Sequence, residues 1–254
     1  MLRGLYASAR GMAVESKKQE VISNNLANSN TTGFKKDIVL VRSFSEELLA
    51  ITGKGQASSL GGLAESPVLQ SIATIYSPGM LEETGRDLDL ALTGAAFFTL
   101  QTPAGIRYTK DGSFGMDRDG FLVSGDGYQV LDVGGRAITL SSSNVDVDED
   151  GEVWEADGQK KRFVAKLGLA VFSAEDLKKL EKKGQNLFEA VAAAPSAQGL
   201  GQVRQGMLER ANLDIIREMV DMISVMRVYE ANQKSLQAQD EILGKSINEV
   251  GRLR

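Results

Sequence analysis

Met207–Arg254, MLERANLDIIREMVDMISVMRVYEANQKSLQAQDEILGKSINEVGRLR, contains no proline and only two glycines, Gly244 and Gly251. Within it, Ile215, Met219, Met222, Met226, Tyr229, Gln233, Leu236, Asp240, Leu243, Ile247 and Val250 step alternately by four and three. That is the a/d spacing of a coiled-coil seam, broken by Gln233 and Asp240. Ile216, Val220, Ile223, Val225 and Val228 add apolar surface beyond the seam in the first half. A helix that is apolar on several faces needs several neighbours. The stretch predicts a helix about 70 Å long, several times the radius of a compact domain. A small domain cannot cover such a helix alone, so the sequence predicts packing against other chains.

The N-terminus carries a second amphipathic pattern. Leu2, Leu5, Ala9 and Met12 step by three, four and three, lapse at Ser16 and Gln19, and resume at Ile22 and Leu26. This predicts a helix to about Ala27, ending in the run Ser23–Asn28, because asparagine tolerates left-handed geometry and bonds local backbone. Thr31-Thr32-Gly33-Phe34 reads as a turn with an aromatic anchor. Asn30-Thr31-Thr32 matches a glycosylation acceptor, too short a motif to carry weight. Ser43-Phe44-Ser45-Glu46 has the form of a capping box opening a short helix to about Ile51. Gly53–Gly62, with four glycines and two serines, reads as an adaptable linker. Pro67 and Ser77-Pro78-Gly79 punctuate a further extended stretch.

From about Leu81 the apolar period changes to two. Leu88, Leu90 and Leu92 alternate with Asp89 and Ala91, and short strand-like runs follow at 97–100, 106–109, 121–123, 128–131, 137–140 and 163–172. Asp-Gly steps begin at Asp111, Asp119, Asp126, Asp150 and Asp157, and Asp-Gly favours tight hairpin turns. Ser173–Lys183 has the punctuation of a short surface helix, with Ser173 as cap, Glu175 and Asp176 at the positive end, Lys182 and Lys183 at the negative end and Gly184 as stop. Leu187-Phe188 is a final strand, and Ala190–Gly201 leads back to the long helix. The expected fold class is α+β: an all-β central domain of hairpins flanked by long N- and C-terminal coiled-coil-forming helices. The expected parts are residues 1–36, 37–80 (linker), 81–204 (β domain) and 205–254. Isolated amphipathic helices are marginal in water, so the two ends are expected to order on assembly.

Composition narrows the function. The 254 residues are 42% hydrophobic and 25% charged, with net charge -5, which argues against nucleic acid as a partner. The chain has no histidine and no cysteine, which removes Ser-His-Asp and Cys-His catalysis and the usual zinc sites. No run is long enough to insert in a membrane, and no secretory signal is expected at the N-terminus. Asp146, Asp148, Asp150, Gly151, Val153 and Asp157 match the spacing of a calcium loop. Position 12 is Asp rather than Glu, and no helices flank it, so an acidic hairpin is the preferred explanation. The glycines from Gly105 to Gly127 lack the strand–loop–helix context of a phosphate cradle. No catalytic residue and no cofactor are expected.

Three separated segments resemble one family, the bacterial flagellar basal-body rod and hook proteins. The first is Ser23-Asn24-Asn25-Leu26-Ala27-Asn28 through Thr32-Gly33-Phe34-Lys35. The second runs from Leu88-Asp89-Leu90-Ala91-Leu92-Thr93-Gly94 through Phe97-Phe98 and Tyr108-Thr109-Lys110-Asp111-Gly112-Ser113-Phe114 to Gly120-Phe121-Leu122-Val123 and Gly127-Tyr128. The third is Gln205-Gly206-Met207-Leu208-Glu209 to Asn212, with Arg227-Val228-Tyr229-Glu230-Ala231-Asn232 and Asp240-Glu241-Ile242-Leu243-Gly244. Ala95-Ala96 and Ala211-Asn212-Leu213 depart slightly from the family pattern. The length is similar to that of proximal and distal rod proteins and short for a hook protein.

The resemblance implies a structural subunit of the rod at the basal body, exported through the flagellar type III apparatus without a cleaved signal. It implies helical self-assembly into a hollow, torque-transmitting shaft, with copies of itself and neighbouring rod and hook proteins as partners. Paired terminal helices would form the inner tube, the β domain the outer layer, and Gly53–Gly62 would contact neighbouring subunits. The assembly interface is then expected at Leu2, Leu5, Ala9, Met12, Asn24, Asn25, Leu26, Asn28, Gly33, Phe34, Met219, Met222, Met226, Tyr229, Leu236, Leu243, Ile247 and Val250. A hook or hook-junction subunit is the alternative within the family. A calcium-dependent β-domain binding module is the alternative outside it.

Overall fold

The computed structural model describes residues 2–43, 67–157, 160–191, 195 and 201–251. Helix α1 (Leu2–Ala27) is followed by strands β1 (Asp37–Ser43) and β2 (Pro67–Thr74). Then come β3 (Leu81–Glu83), β4 (Leu90–Thr93), β5 (Ala96–Thr102), β6 (Gly105–Thr109), β7 (Phe114–Met116), β8 (Leu122–Ser124) and β9 (Gln129–Val130). β10 (Val145–Val147), β11 (Glu152–Asp157), β12 (Lys160–Lys166) and β13 (Leu169–Val171) precede the one-turn helix α2 (Ala174–Leu177). β14 (Leu180–Lys182), β15 (Leu187–Ala190), β16 (Gln202–Gln205) and β17 (Met207–Glu209) lead to helix α3 (Ile215–Gly251). The α+β class stands: terminal helices enclose a β-rich middle.

The chain divides into two compact units. The first comprises Met1–Ala27, Asp37–Ala73 and Asp214–Arg254; the second comprises Asn28–Lys36 and Thr74–Leu213. The signature turn after α1 thus belongs to the β unit rather than to the helix that precedes it.

In the helical unit, α1 and α3 run antiparallel: Gly4 lies against Gln239, Gly11 against Asn232, and Asn25 against Glu218. A Cβ on Gly11 would stand 3.1 Å from the Asn232 amide, so the missing side chain lets the backbones close up. Asp214 caps α3, its Oδ1 accepting from the N–H groups of Ile216 (3.0 Å) and Arg217 (3.3 Å). The helix therefore starts at Ile215, not Met207, and its 37 residues make it about 55 Å long rather than 70 Å. Residues 202–209 pair instead as strands, β16 with β4 and β17 with β3. β1 and β2 form a two-stranded sheet. The short helix expected from Ser43 to Ile51 and the linker Gly53–Gly62 lie outside the described residues, apart from Ser43, which ends β1.

The β unit is built on a sheet ordered β14-β15-β6-β5-β9-β8-β7, with β13 also paired to β5. β5 explains the double core. Its side chains alternate between faces, so Ala96, Phe98 and Leu100 enter a large cluster with Phe114, Leu122, Val130, Ile138, Leu167 and Val203. Phe97 enters a smaller one with Ala170, Phe172, Leu180 and Phe188, where edge-to-face ring contacts link Phe97 to Phe172 and Phe188. Three of the Asp-Gly steps carry positive φ at glycine, at Gly120, Gly127 and Gly151. Gly112 serves differently: a Cβ there would overlap the Leu90 carbonyl oxygen.

One local expectation is corrected. Ser173 does cap a helix, accepting from the Asp176 N–H, but that helix has one turn. Leu180–Lys182 is strand because Leu180 is buried in the smaller core and pairs with Ala190; Gly184 belongs to the hairpin turn that follows, where Gln185 and Asn186 also have positive φ. The acidic run is a hairpin between β10 and β11. Asp148 Oδ1 accepts from the N–H groups of Asp150 (3.0 Å) and Glu152 (2.9 Å), Asp146 pairs with Lys161, and Asp157 stands at the far end of β11 opposite Lys160. Asp146 stands on β10 and Asp157 at the far end of β11, with Asp148 and Asp150 in the turn between the strands.

Candidate assembly interface

The signature after α1 performs two separate tasks. Asn25 is 1% exposed and does not end the helix, which continues to Ala27. Its side chain acts as a strand partner for Asp37: Nδ2 donates to the Asp37 carbonyl (2.9 Å) and Oδ1 accepts from the Asp37 N–H (3.0 Å). Nδ2 also donates to Glu218 Oε2 (3.3 Å). A buried amide satisfied in this way fixes where β1 starts. Asn28 holds the next turn, its carbonyl accepting from the Thr31 N–H and its Oδ1 from the Thr31 hydroxyl.

Within the β unit, residues 32–36 dock by their backbone and by one buried lysine. The Gly33 N–H donates to the Glu209 carbonyl (2.6 Å). Thr32 donates to Asp111 Oδ1 (2.5 Å), and Asn186 Nδ2 donates to the Thr32 carbonyl (2.7 Å). Phe34 is buried, with Lys182 Nζ 4.4 Å from its ring centroid. Lys35, 1% exposed, donates to Glu209 Oε1 (2.5 Å) and the Ser77 carbonyl (2.9 Å). Glu209 Oε1 also accepts from the Gly79 N–H (2.7 Å). Asn212 Oδ1 accepts from the Lys36 N–H (2.7 Å), while its Nδ2 donates to the Ile75 carbonyl (2.7 Å).

A second buried cation stands nearby. Lys110 donates to the Gly94 carbonyl (2.7 Å) and lies 5.3 Å from the Phe97 ring centroid. Burial pushes its ammonium down to about 8, with the Glu209 charge pulling it up and the Lys35 charge pushing it further down. Lys35, Lys110 and Glu209 all lie in the segments that carry the family resemblance, yet none was foreseen as a site residue. Charged residues in a sequence read as solvated surface, and no local spacing marks a pair 174 positions apart.

The helices show which of the expected interface residues face inward. On α1 the buried line is Gly11, Val14, Val21 and Asn25; Leu5, Met12, Leu26 and Asn28 are half-buried, and Ala9 and Asn24 are exposed. On α3 the inward line runs Glu218, Met222, Val225, Tyr229, Asn232, Leu236, Gln239 and Leu243. Met222, Tyr229, Leu236 and Leu243 therefore belong to it, half-buried. Met219 (48%), Met226 (45%) and Ile247 (70%) are exposed, and their expected inward places are taken by Glu218, Val225 and Ser246. Leu2 and Val250 lie within α1 and α3. Met219 and Met226, with Ile216 (75%), Val220 (60%) and Ile223 (52%), make an outward apolar face over the first turns of α3.

Three family models match the chain in order. Residues 5–35 match "Flagella basal body rod protein", residues 91–155 "Flagellar hook protein FlgE/F/G D1 domain", and residues 204–249 "Flagellar basal body rod FlgEFG protein C-terminal". The flagellar basal-body rod protein FlgG of Bacillus subtilis is 34% identical over 98% of this chain and 99% of its own. The chain belongs to the flagellar basal-body rod protein family. FlgG of Borreliella burgdorferi is 33% identical over 98% of both chains, and FlgF of Caulobacter vibrioides 32% identical over the whole of both. This rod protein is a structural subunit of the basal body, where it assembles with other rod and hook proteins. The hook alternative is no better supported than before. The family is structural rather than enzymatic. The first and third matched segments contain the two halves of the Lys35–Glu209 pair and of the Asn25–Glu218 contact. No described helix is long and apolar enough to cross a membrane. Among the described residues no group of three acidic side chains is placed to hold a metal ion.

Proposed function

We propose that this subunit associates with copies of itself through the outward faces of α1 and α3, in coiled-coil fashion, to build a hollow helical shaft. The observation that carries the proposal is the run Ile216, Met219, Val220, Ile223 and Met226, all 45% exposed or more in the single chain. Each such side chain gains roughly 1.5–3 kcal/mol on burial, a gain the free subunit leaves unused. The outer side of α1 is different in character: Ala9, Ala13 and Ser16 are exposed beside Tyr6, Arg10 and Glu20, a mixed polar surface. An apolar face meeting this mixed one is a contact between unlike surfaces, which builds an open helix when its rotation does not close into a ring. The sequence-expected residues Leu236 and Leu243 lie further along α3 on its inward line, where they support the α1–α3 pair that presents this face. Passage through the flagellar type III export apparatus completes the reading.

The chain has no cysteine, so an Ile223→Cys variant carries a unique thiol. The expected result is rapid maleimide labelling of the free chain and protection in isolated basal bodies. Equal labelling in both would remove α3 from the interface.

A further inference from the structure

We infer that residues 28–36 form a releasable clasp whose docking on the β unit depends on the charge of the Glu209 carboxylate, and that removing this one charge frees the segment while the sheet behind it stays folded. The cluster contains two cations and one anion, all three at most 4% exposed. Glu209 Oε1 takes both Lys35 and the Gly79 N–H, and Glu209 Oε2 has no hydrogen-bond partner. Lys110 leans on a carbonyl and a ring face; burial lowers its affinity for a proton, the Glu209 charge opposes that shift and the Lys35 charge adds to it.

The other charges around the cluster do not replace Glu209. Asp111 is engaged by Thr32 and Ser113. Arg210 forks onto Glu82 at the exposed rim. Lys182 caps the Lys35 carbonyl and covers Phe34, adding a further cation. Asp89 is linked to Arg86 at 3.6 Å. Without the Glu209 charge, Lys35 and Lys110 become buried like charges with no other counter-ion among the described residues, an arrangement that strongly disfavours the docked state.

Lys35 is the member that can leave. Lys110 directly follows β6 and Glu209 ends β17, whereas residues 28–36 contribute no strand. Neither core cluster includes a residue of the segment. Its backbone is held by separate hydrogen bonds at Thr32, Gly33, Phe34, Lys35 and Lys36, shared among Asn186, Glu209, Asn212, Lys182 and Ile75, and not by pairing with one strand. Local opening with the remainder intact is the behaviour expected of such a segment.

The test is amide hydrogen exchange on the full chain and two variants. Glu209→Gln keeps an acceptor for the Gly79 N–H and removes only the charge. We expect exchange at 33–36 to quicken at least tenfold, with the amides of 97–100 unchanged. Adding Lys35→Met to Glu209→Gln removes the orphaned cation and is expected to restore protection toward the parent level. Undisturbed protection at 33–36 in Glu209→Gln overturns the inference. So does simultaneous loss of protection at 97–100, which would make the segment part of the core. A double variant no better protected than the single one would assign the effect to shape and not to charge, and would also overturn it.

Discussion

A Cβ on Gly33 would fall 2.6 Å from both the Lys110 carbonyl oxygen and the Asp111 nitrogen, and Gly33 holds φ at +65°. Both conditions exclude any other residue without backbone movement. Gly33→Ala is therefore expected to cost more than about 2 kcal/mol in urea denaturation. Lys110 gives a pH signature. Its folded value of about 8 lies below the ordinary 10.5, so between these values the unfolded chain binds more protons and stability rises with pH. The contribution is present in full above 10.5 and lost as pH falls through 8; its size is about 3 kcal/mol. Thermal melts from pH 7.5 to 10.5 should show this rise, and Lys110→Met should flatten it. At this scale the sequence was least informative. The asparagines after Ser23 were recognisable as special, but a helix end was the only local role they suggested. Strand pairing by Asn25 depends on Asp37 and Glu218 being brought beside it, which no window of sequence shows.

The elements were legible where a local period decides them. Alternation in Leu88–Leu92 and at the paired phenylalanines marked the β middle, and Asp-Gly steps marked its turns. They were illegible where a distant partner decides: Met207–Glu209 fits a helical pattern but is held as strand by β3, and Leu180 was drawn from a plausible helix into the smaller core. The long helices show a subtler limit. The stripe of largest apolar residues on α3 was visible, but at every second position the inward line is one residue earlier, at Glu218, Val225, Asn232 and Gln239. Gly4 and Gly11 on α1 face the amides of Gln239 and Asn232, and Asn25 meets the Glu218 carboxylate, while Met219 and Met226 stay exposed. Opposite consequences follow for two valines of one helix. Val225→Ala should cost roughly 1.5 kcal/mol by loss of buried area, whereas Val220→Ala should change single-chain stability by less than about 0.5 kcal/mol. Denaturation of the two variants side by side checks the orientation of α3.

For the whole molecule, the division of labour was readable: apolar ends that outrun their own chain, a compact β middle, and no histidine or cysteine for common catalytic chemistry. What composition left open was which surfaces the ends present, and that is where the account is most exposed to test. The measurement is incorporation of an Ile216→Glu/Val220→Glu/Ile223→Glu chain into basal bodies, with the β unit followed by the fluorescence of Trp154, the chain's single tryptophan. The account predicts a folded β unit, no variant subunit in isolated rods and loss of motility. Rods that take up the triple variant as readily as the parent chain would show that the outward face of α3 is not where subunits meet.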